Sequence, residues 1–581
     1  MRLPPRPIFA LLAVVFAAAC AQPQTQPSRS TGSSAAPGTT ASQPSGRTTM
    51  TVSVRFEAVD LAAKTLAGIG AVGMTKRLFN AGLVLKDGKG VAQPYLAESL
   101  PRLNTDSWRV LPDGKMETTY RLKPNVTWHD GTALTADDFV FASRVYASPA
   151  LGMFIPEPQD KMEEVSAPDP QTVVIRWRTL YPDADALVDS FFAPLPRHVL
   201  GDEFASFEQG QMTRDNFAGQ NYWNTSFIGA GPYRLERWEP GFQIEGTAFA
   251  GHVLGRPKVE RVVLRILGDE NTVLSNMLSD NIDVATDVSL QYEQGATLRR
   301  EWSQSRRGEV IFTLGLRHYS YFQFRPDHQK TPALLDVRVR RAIAHGIDKQ
   351  GIVTTLFDGL APADDSFVAP SQPYFPDVDR AITKYAYDPR RTAELMSQAG
   401  FEKDRDGFFA DSTGTRFRPD LWAEQSPLWE NELALMVDTL TRAGVEVQPF
   451  VLPTARVRDN EARATAPGIY TASTGADENR MEVLTTGQIG SPANRWGGGN
   501  RGGWSNAEVD RLWEGFKTTL ERPERTRQVI QIAKIISDEL PVMPLNFNPG
   551  VLAYTSSVKG PEVGLPESTA AWNVHEWELR N

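Results

Sequence analysis

The feature that most constrains this chain of 581 residues is its single cysteine, Cys20, at the end of an apolar N-terminal run. With one cysteine no intrachain disulfide can form, so non-covalent cores must hold the whole fold. A chain of this length exceeds what one compact core usually holds. The sequence therefore predicts two or three domains built without covalent cross-links.

The first twenty residues have the pattern of a secretory signal. Arg2 and Arg6 precede the apolar run at 8–20, which is too short for a comfortable transmembrane helix. Cys20 follows three alanines, an arrangement that resembles a bacterial lipobox, where the cysteine is diacylated and becomes the mature N-terminus. Lipoboxes usually have leucine three positions before the cysteine, where this chain has Ala17. Lipidation of Cys20 and conventional cleavage after the alanines both remain open.

Residues 21–49 contain mostly Ser, Thr, Pro, Gly, Ala and Gln, with almost no large apolar side chain. Such a segment cannot bury enough surface to fold, and as a coil it has a mean reach of about 30 Å. We expect a disordered tether that holds a globular body off a membrane surface. This predicts an extracytoplasmic, lipid-anchored protein of the bacterial envelope, in the periplasm or on the outer face of the cytoplasmic membrane.

The composition of the chain excludes some classes of partner. Hydrophobic residues make up 41% and charged residues 23%, which is ordinary for a soluble globular body. The net charge is −9 and no basic stripe appears, which argues against a nucleic-acid partner. No stretch after the N-terminal run reaches membrane-spanning length.

The body alternates strand and helix signals, which predicts a mixed α/β fold in more than one domain. Residues 51–59 alternate as a strand, with Val52, Val54 and Phe56 on one face, and 105–122 form a hairpin around a Pro-Asp-Gly turn. Capped helices are predicted to begin after Asp388 and Asn506. Further predicted elements are a helix over 336–349 and strands at 173–177, 259–267 and 445–452.

The segment 127–146, TWHDGTALTADDFVFASRVY, concentrates residues that could serve a metal or a reaction. Thr135 and Asp138 instead have the spacing of a helix capping box. His129 and Asp130 are adjacent in an extended segment, so their side chains point apart. The seven histidines include no HxH or HxxxH pair. We therefore predict scaffold here, with no catalytic residue, no metal site and no cofactor.

The same segment belongs to a series of blocks with a familiar order. They are AQPYLAESLP (92–101), YRLKPNVTWHDGTALTADDFVFA (120–142), GAGPYRLERWEPG (229–241), RPKVERVVLRIL (256–267), DVRVRRAIAHGIDK (336–349), YAYDPRRTAELMSQAGF (385–401), WSNAEVDRLWEGF (504–516) and DELPVMPL (538–545). In this order the blocks resemble the solute-binding proteins of family 5, which serve peptide and nickel-type ABC transporters.

The resemblance implies a two-lobed periplasmic-binding-protein-like clamp, of type II and the large peptide-binding class, with an extra subdomain. Lobe 1 would comprise 50–95, 229–318 and 547–581, with the accessory subdomain at 96–228 and lobe 2 at 319–546. It also implies a monomer that encloses its ligand by hinge closure and presents it to the permease subunits of an ABC transporter.

The resemblance weakens where the ligand would be recognised. Peptide binders of the family hold the peptide amino group with an acidic residue of the far lobe, in a neighbourhood that contains an Asp-Pro pair. The corresponding region here, 470–484, lacks the Asp-Pro, which leaves Asp477 and Glu478 as candidates or as solvated loop acids. Arg325 replaces a usual asparagine and could bind a carboxylate or phosphate, or be a surface charge.

Aromatic residues in the predicted far lobe are further candidates. Trp422 and Trp429 flank a predicted strand-to-helix connection, and Trp496 opens the glycine-rich run WGGGNRGGW. Such rings can stack on a ligand or belong to the core. The run lacks the Lys-Ser/Thr of a phosphate-binding loop and is interpreted as a flexible loop, with a place at the cleft rim open to it.

These observations predict a transport receptor for a peptide or another small polar solute. A receptor for an oligosaccharide or a metal chelate remains open, as does a receptor that signals or scaffolds without transport. An extracytoplasmic hydrolase is the competing class. The chain has no GxSxG elbow, and its one cysteine lies in the signal region, so it offers no nucleophile paired with a base.

Overall fold

The structure is a computed structural model that describes residues 47–64, 66, 73–152, 157–286, 288–475, 477–562, 564 and 569–580. The predicted signal and most of the predicted tether, including Cys20, lie outside the described residues. The body begins at Arg47, whose guanidinium pairs with the buried Asp283 carboxylate at 2.6 Å. Residues 47–49, predicted as the end of the tether, therefore belong to the folded body.

The strands of the described chain are numbered in order. They are β1 (Thr49–Val54), β2 (Val84–Lys86), β3 (Ala92–Pro94), β4 (Trp108–Val110), β5 (Met116–Arg121), β6 (Met162–Asp169), β7 (Thr172–Trp177), β8 (Tyr233–Glu239), β9 (Gln243–Ala248), β10 (Arg261–Ile266), β11 (Val284–Ala285), β12 (Gly308–Phe322), β13 (Glu402–Lys403), β14 (Phe409–Ala410), β15 (Asp420–Glu424), β16 (Gln448–Leu452), β17 (Ile469–Thr474), β18 (Val542–Thr555), β19 (Val558–Lys559) and β20 (Glu578–Leu579).

The helices of the described chain are numbered in the same way. They are α1 (Gly73–Phe79), α2 (Ala136–Tyr146), α3 (Arg197–Glu208), α4 (Arg214–Ala218), α5 (Glu270–Leu278), α6 (Tyr292–Ser305), α7 (Val337–Gly346), α8 (Lys349–Phe357), α9 (Phe375–Ala381), α10 (Pro389–Gln398), α11 (Pro427–Ala443), α12 (Asn460–Ala464), α13 (Ala507–Thr518) and α14 (Arg522–Glu539). Within the described ranges, none of these helices is long and apolar enough to span a bilayer.

One mixed sheet runs through the body in the order β16-β15-β17-β12-β18-β11-β1-β10-β9-β8. Its centre is the antiparallel pair of long strands β12 and β18. On one side β11, β1 and β10 run parallel, and on the other β15 runs parallel to both β16 and β17. A separate antiparallel sheet, β4-β5-β7-β6, packs with α2 in the region that sequence predicts as the accessory subdomain.

The hydrophobic cores follow this division of the sheet. One core joins β1 and β10 to the accessory sheet and includes Trp128, Phe139, Trp177 and Trp577. Two more cores lie around β12, β17 and β18, one formed with α13 and α14 and the other with α7, α10 and α11. The accessory sheet therefore shares its core with the first part of the large sheet and does not form an isolated unit.

Local helix signals are confirmed at the residues that carry them. The Asp388 carboxylate accepts the amides of Arg390 and Arg391, each at 3.0 Å, as the N-cap of α10. Asn506 caps α13 in the same way. The predicted hairpin at 105–122 is also confirmed, because β4 and β5 pair antiparallel.

Two predicted element boundaries are wrong. The strand predicted over 51–59 ends at Val54, so Phe56 does not share its buried face and is 64% exposed. The helix predicted over 336–349 ends at Gly346, because Asp348 caps a second helix by accepting the amide of Gly351 at 2.8 Å. The strand ends where its pairing with β10 ends, and the helix ends where the Asp348 cap begins a new helix.

In the segment 127–146 the predicted capping box of Thr135 and Asp138 is confirmed. The Asp138 carboxylate accepts the amides of Thr135 at 2.9 Å and Arg197 at 3.0 Å, which ties the start of α2 to the start of α3. His129 is buried and accepts the amide of Gly229 at its Nδ1, 3.2 Å away. Its Nε2 donates to the carbonyl of Gly231 at 3.0 Å, so the imidazole joins two of the sequence blocks. Burial lowers the pKa of His129 to about 4.

The lowered pKa of His129 predicts that the free energy of unfolding depends on pH. As the pH falls below about 6.5 the unfolded chain binds the proton first, because the folded pKa is held at about 4. Stability is therefore lost between about pH 6.5 and about pH 4, by about 1.4 kcal/mol per pH unit. His129→Gln keeps a donor and an acceptor but does not titrate. Denaturant unfolding at about pH 7 and about pH 5 should show that the unmodified chain loses about 2 kcal/mol more than the variant. Equal losses in the two proteins would contradict this account.

Candidate functional site

The large sheet has two parts, one formed by β11, β1, β10, β9 and β8 and the other by β16, β15 and β17. They meet at an irregularity in the central pair, β12 and β18. The register of β12 and β18 shifts between Leu314 and Arg317 and again between His318 and Tyr319. A Cβ on Gly315 would lie 2.3 Å from the carbonyl oxygen of Asn548, so this close approach requires glycine. Bulges of this kind bend a strand and turn a side chain in a new direction. Here the next residue, Leu316, is 51% exposed.

Arg317 follows the bulge and forms a buried ion pair. Its Nε donates to the Asp364 carboxylate at 2.6 Å, and both side chains are almost completely buried. The guanidinium lies over the rings of Phe367 and Phe547, at 5.0 and 4.9 Å from their centroids. Burial raises the pKa of Asp364, and the charge of Arg317 opposes that rise. Loss of either partner would leave an uncompensated buried charge, at a cost of about 3 to 5 kcal/mol.

A second buried polar group lies beside this pair. Glu432 of α11 accepts the Nδ2 hydrogen of Asn546 at 2.5 Å and the Nδ1 hydrogen of His318 at 3.0 Å. The His318 ring stacks on Trp429, with 4.0 Å between ring centroids. The carboxylate thus fixes β12 and β18 to α11 at the point where the strands cross between the two parts of the sheet.

The strand β17 presents an open edge close to this crossing. It pairs with β12 along its whole length, from Ile469 to Thr474. On its other side β15 pairs only with Ile469 and Tyr470, and no strand of the described chain pairs there with 471–474. The carbonyl of Gly475, at the end of β17, lies 3.5 Å from Nη1 of Arg317. The side of β17 that no described strand pairs with therefore ends next to the buried ion pair; along it Thr471 and Ala472 are buried and Ser473 is exposed.

Both predicted carboxylates follow this edge, in different environments. Asp477 caps a 3₁₀ turn at Glu478–Leu484, pairs with Arg480 at 3.1 Å and is 26% exposed. The Glu478 side chain is only 12% exposed and accepts from Arg522 and from the Tyr374 hydroxyl, each at 2.5 Å. The structure brings the two acids together at the open strand. Asp477 is the more accessible, whereas Glu478 is held by a cation and a phenol.

Arg325 lies beside the glycine-rich run and donates hydrogen bonds to main-chain carbonyls of the protein. Its Nη1 donates to the Gly490 carbonyl at 2.6 Å, and its Nη2 donates to the carbonyls of Ala464 and Arg501. Its guanidinium also lies 5.7 Å from the Trp496 ring centroid. Burial lowers the pKa of Arg325. In this arrangement the arginine fastens a loop, and a ligand role for Arg325 or Trp496 stays a prediction.

The remaining sequence candidates are also held by neighbours. Trp422 packs on Phe450 with 4.3 Å between centroids and belongs to the edge of a core. The glycine-rich run, predicted as a flexible loop, is fastened at Asn500, which is buried and donates to the carbonyls of Thr485 and Trp504. Contact of Trp422 with a ligand likewise stays a prediction.

Two contacts join segments that are far apart in the sequence. Nη1 of Arg525, on α14, donates to the Asp183 carboxylate at 2.9 Å. This contact joins α14 to the region 96–228. The Tyr292 hydroxyl of α6 donates to Asp358, just after α8, at 2.8 Å. Sequence reasoning missed both contacts, because their partners are widely separated and no local pattern marks them.

A cavity of about 190 Å³ lies at the bulge, between the loop after β11 and the strands β12 and β18. Sequence reasoning also missed this cavity, because the bulge that shapes it depends on how the two strands pair. Among the described residues, no cluster of His, Cys, Asp and Glu has a geometry that could hold a metal ion.

Comparisons with known proteins agree on one family. The family model described as "Bacterial extracellular solute-binding proteins, family 5 Middle" matches residues 93–492, which is more than half of the chain. The chain is 23% identical over 501 residues to the oligopeptide-binding protein AppA of Bacillus subtilis, covering 83% of each protein.

Two solved structures share the fold. One is NikZ from Campylobacter jejuni in complex with Ni(L-His), with a TM-score of 0.71, 20% identity, and coverage of 92% of this chain and 99% of that one. The other is an oligopeptide-binding protein from Thermus thermophilus complexed with a pentapeptide, with a TM-score of 0.70, 20% identity, and coverage of 92% and 96%. The predicted α/β two-lobed clamp is thereby confirmed. The chain belongs to the bacterial extracellular solute-binding proteins of family 5.

Proposed function

We propose that this chain is an extracytoplasmic, lipid-anchored receptor of an ABC importer that captures a peptide between two lobes by hinge closure. The observation that carries the proposal is the open edge of β17, where 471–474 pair on one side only. An extended peptide can add to such an edge through main-chain hydrogen bonds, which give affinity without requiring one sequence.

The crossing strands supply a place for the hinge. The predicted lobe boundaries at 318/319 and 546/547 fall beside the register shift in β12 and β18. We therefore assign lobe 1 to 50–95, 229–318 and 547–581, lobe 2 to 319–546, and the accessory subdomain to 96–228. A hinge is a short segment that absorbs a change in backbone angles, and a bulged strand pair offers one.

Asp477 is the residue we propose for the peptide amino group. It is the more exposed of the two carboxylates that follow β17, and its salt bridge to Arg480 is a surface pair of small net strength. Glu478 would act behind it by holding Arg522 and Tyr374 in place. A carboxylate at the end of the open edge would fix which end of the peptide lies there.

The names of related proteins fit a peptide ligand. AppA is named an oligopeptide-binding protein, and the Thermus thermophilus protein was solved with a pentapeptide. NikZ was solved with Ni(L-His), so a metal chelate is an alternative outcome of the test below. We propose a monomer that binds its ligand without catalysis and delivers it to permease subunits. His129, the one histidine of the 127–146 segment, forms structural hydrogen bonds, which supports binding without catalysis.

The direct test is mass spectrometry of small molecules released by denaturing the purified, untagged mature protein. A peptide bound in a closed clamp should survive purification, so we expect one peptide or a family of peptides in the released fraction. The same peptides, added back, should raise the melting temperature, because any ligand of the native state stabilises it. Release of an oligosaccharide or a metal chelate, with no peptide, would contradict the proposal.

Asp477→Asn tests the assignment of the amino-group site. Asparagine still caps the 3₁₀ turn but has no charge to offer an ammonium group. The unmodified protein should bind penta-alanine at least about tenfold more tightly than N-acetylated penta-alanine, and the variant should lose this preference. The matched control is Asp438→Asn, which removes an exposed carboxylate on α11. A preference retained in Asp477→Asn, measured by calorimetry, would show that another group holds the amino terminus.

Cys20→Ser tests the lipid anchor. Serine cannot carry the thioether-linked lipid, so the full-length variant should move from the membrane fraction to the soluble extracytoplasmic fraction. Fractionation and gel mobility of both proteins measure this. A variant that stays on the membrane with unchanged mobility would overturn the lipidation of Cys20 and leave conventional cleavage or another attachment.

A further inference from the structure

The cavity beside the bulge is lined mainly by apolar side chains, with a few uncharged polar ones. Its volume is about 190 Å³, and its apolar lining includes Val288, Leu290, Leu314, Leu316, Pro549 and Val551. None of the described residues that line it is charged, although charged residues make up 23% of the chain. Ligand pockets typically combine an apolar lining with a few polar groups that fix orientation.

Two of these apolar side chains are about half exposed to solvent. Val288 and Leu316 are each 51% exposed. Leu316 is turned outward by the bulge, which the close approach of Gly315 to Asn548 makes possible. Val288 has a φ of +57°, a left-handed conformation that is costly for a β-branched residue. Strain of this kind persists where the surrounding structure enforces it, and it concentrates at ligand sites.

One polar atom in the cavity wall has no partner. The Oδ1 of Asn548 is buried and accepts no hydrogen bond within the described chain. A buried acceptor without a donor costs free energy. The lining offers apolar surface for a side chain.

We propose that this cavity receives an apolar side chain of the bound peptide, branched aliphatic or aromatic, and makes the receptor selective for peptides that contain one. The inference rests on the proposed function and names its substrate class. An apolar cavity of about 150 Å³ is large enough for benzene, so the volume here suits one such side chain. A lysine or glutamate side chain would lose hydration against these walls with no opposite charge to replace it.

The position of the cavity links selectivity to closure. Leu314 and Leu316 lie on β12 immediately before the buried Arg317–Asp364 pair, at the proposed hinge. A side chain seated there contacts both crossing strands at the bulge, because Pro549 and Val551 belong to β18. Burial of apolar surface at this point would stabilise whichever lobe arrangement encloses the ligand.

The test uses penta-alanine and its derivatives, each with one Phe, Leu, Lys or Glu placed in turn at every position. Calorimetric titration of the full mature protein should show one position where Phe or Leu binds at least about tenfold more tightly than Lys or Glu. Leu316→Glu should abolish that preference, weakening binding of the Phe or Leu peptide by at least about tenfold more than it weakens binding of penta-alanine. The matched control is Leu335→Glu, at a leucine of similar exposure outside the cavity, 42% against 51%. Melting temperatures confirm that each variant folds.

The outcomes separate the two proposals. Peptide binding with no side-chain preference at any position, or a preference that survives Leu316→Glu, would overturn the apolar subsite and leave the peptide receptor standing. Failure of every peptide in the series to bind would overturn the receptor function, and the subsite with it. A preference reversed toward Lys by Leu316→Glu would support the assignment most strongly.

Discussion

The pairing of two long strands, β12 and β18, is the constraint on which the rest of the structure depends. They are the centre of a sheet that extends through both parts of the molecule, so every neighbouring strand takes its position from them. Their register changes at two places, between His318 and Tyr319 and at the bulge between Leu314 and Arg317. Its geometry exposes Leu316 on one side and buries Arg317 on the other. The proposed apolar subsite and a structural ion pair therefore arise from the same local irregularity.

Buried charge at the crossing fixes the arrangement of the strands. Arg317 and Asp364 have almost no exposed surface, and Glu432 beside them is satisfied by Asn546 and His318. Such networks contribute little net stability compared with apolar packing, but alternative arrangements would leave a charge unpaired. We infer that these residues specify one geometry for the strands that the proposed hinge must bend. The open edge of β17 then ends at a fixed distance from them.

Features controlled by neighbouring residues could be predicted from sequence, and those controlled by distant residues could not. The caps at Asp388 and Asn506 involve contacts within a few positions, and both are confirmed. His129 was recognised as scaffold from its extended setting, but its partners lie about a hundred residues away at Gly229 and Gly231. Arg325 carries a charge that suits a ligand, whereas its actual acceptors are carbonyls that only the folded loop supplies. The bulge leaves no local signal, so the cavity beside it was not foreseen.

The central claim is that a peptide binds along the open edge of β17, and hydrogen–deuterium exchange measures this most directly. With saturating pentapeptide, the amides of 471–475 should exchange more slowly, because the added strand would pair with main-chain groups that have no strand partner in the described chain. Protection should also appear at 313–316, beside the bulge. Unchanged exchange at 471–475 in a protein that demonstrably holds the peptide would contradict the account and place the ligand elsewhere.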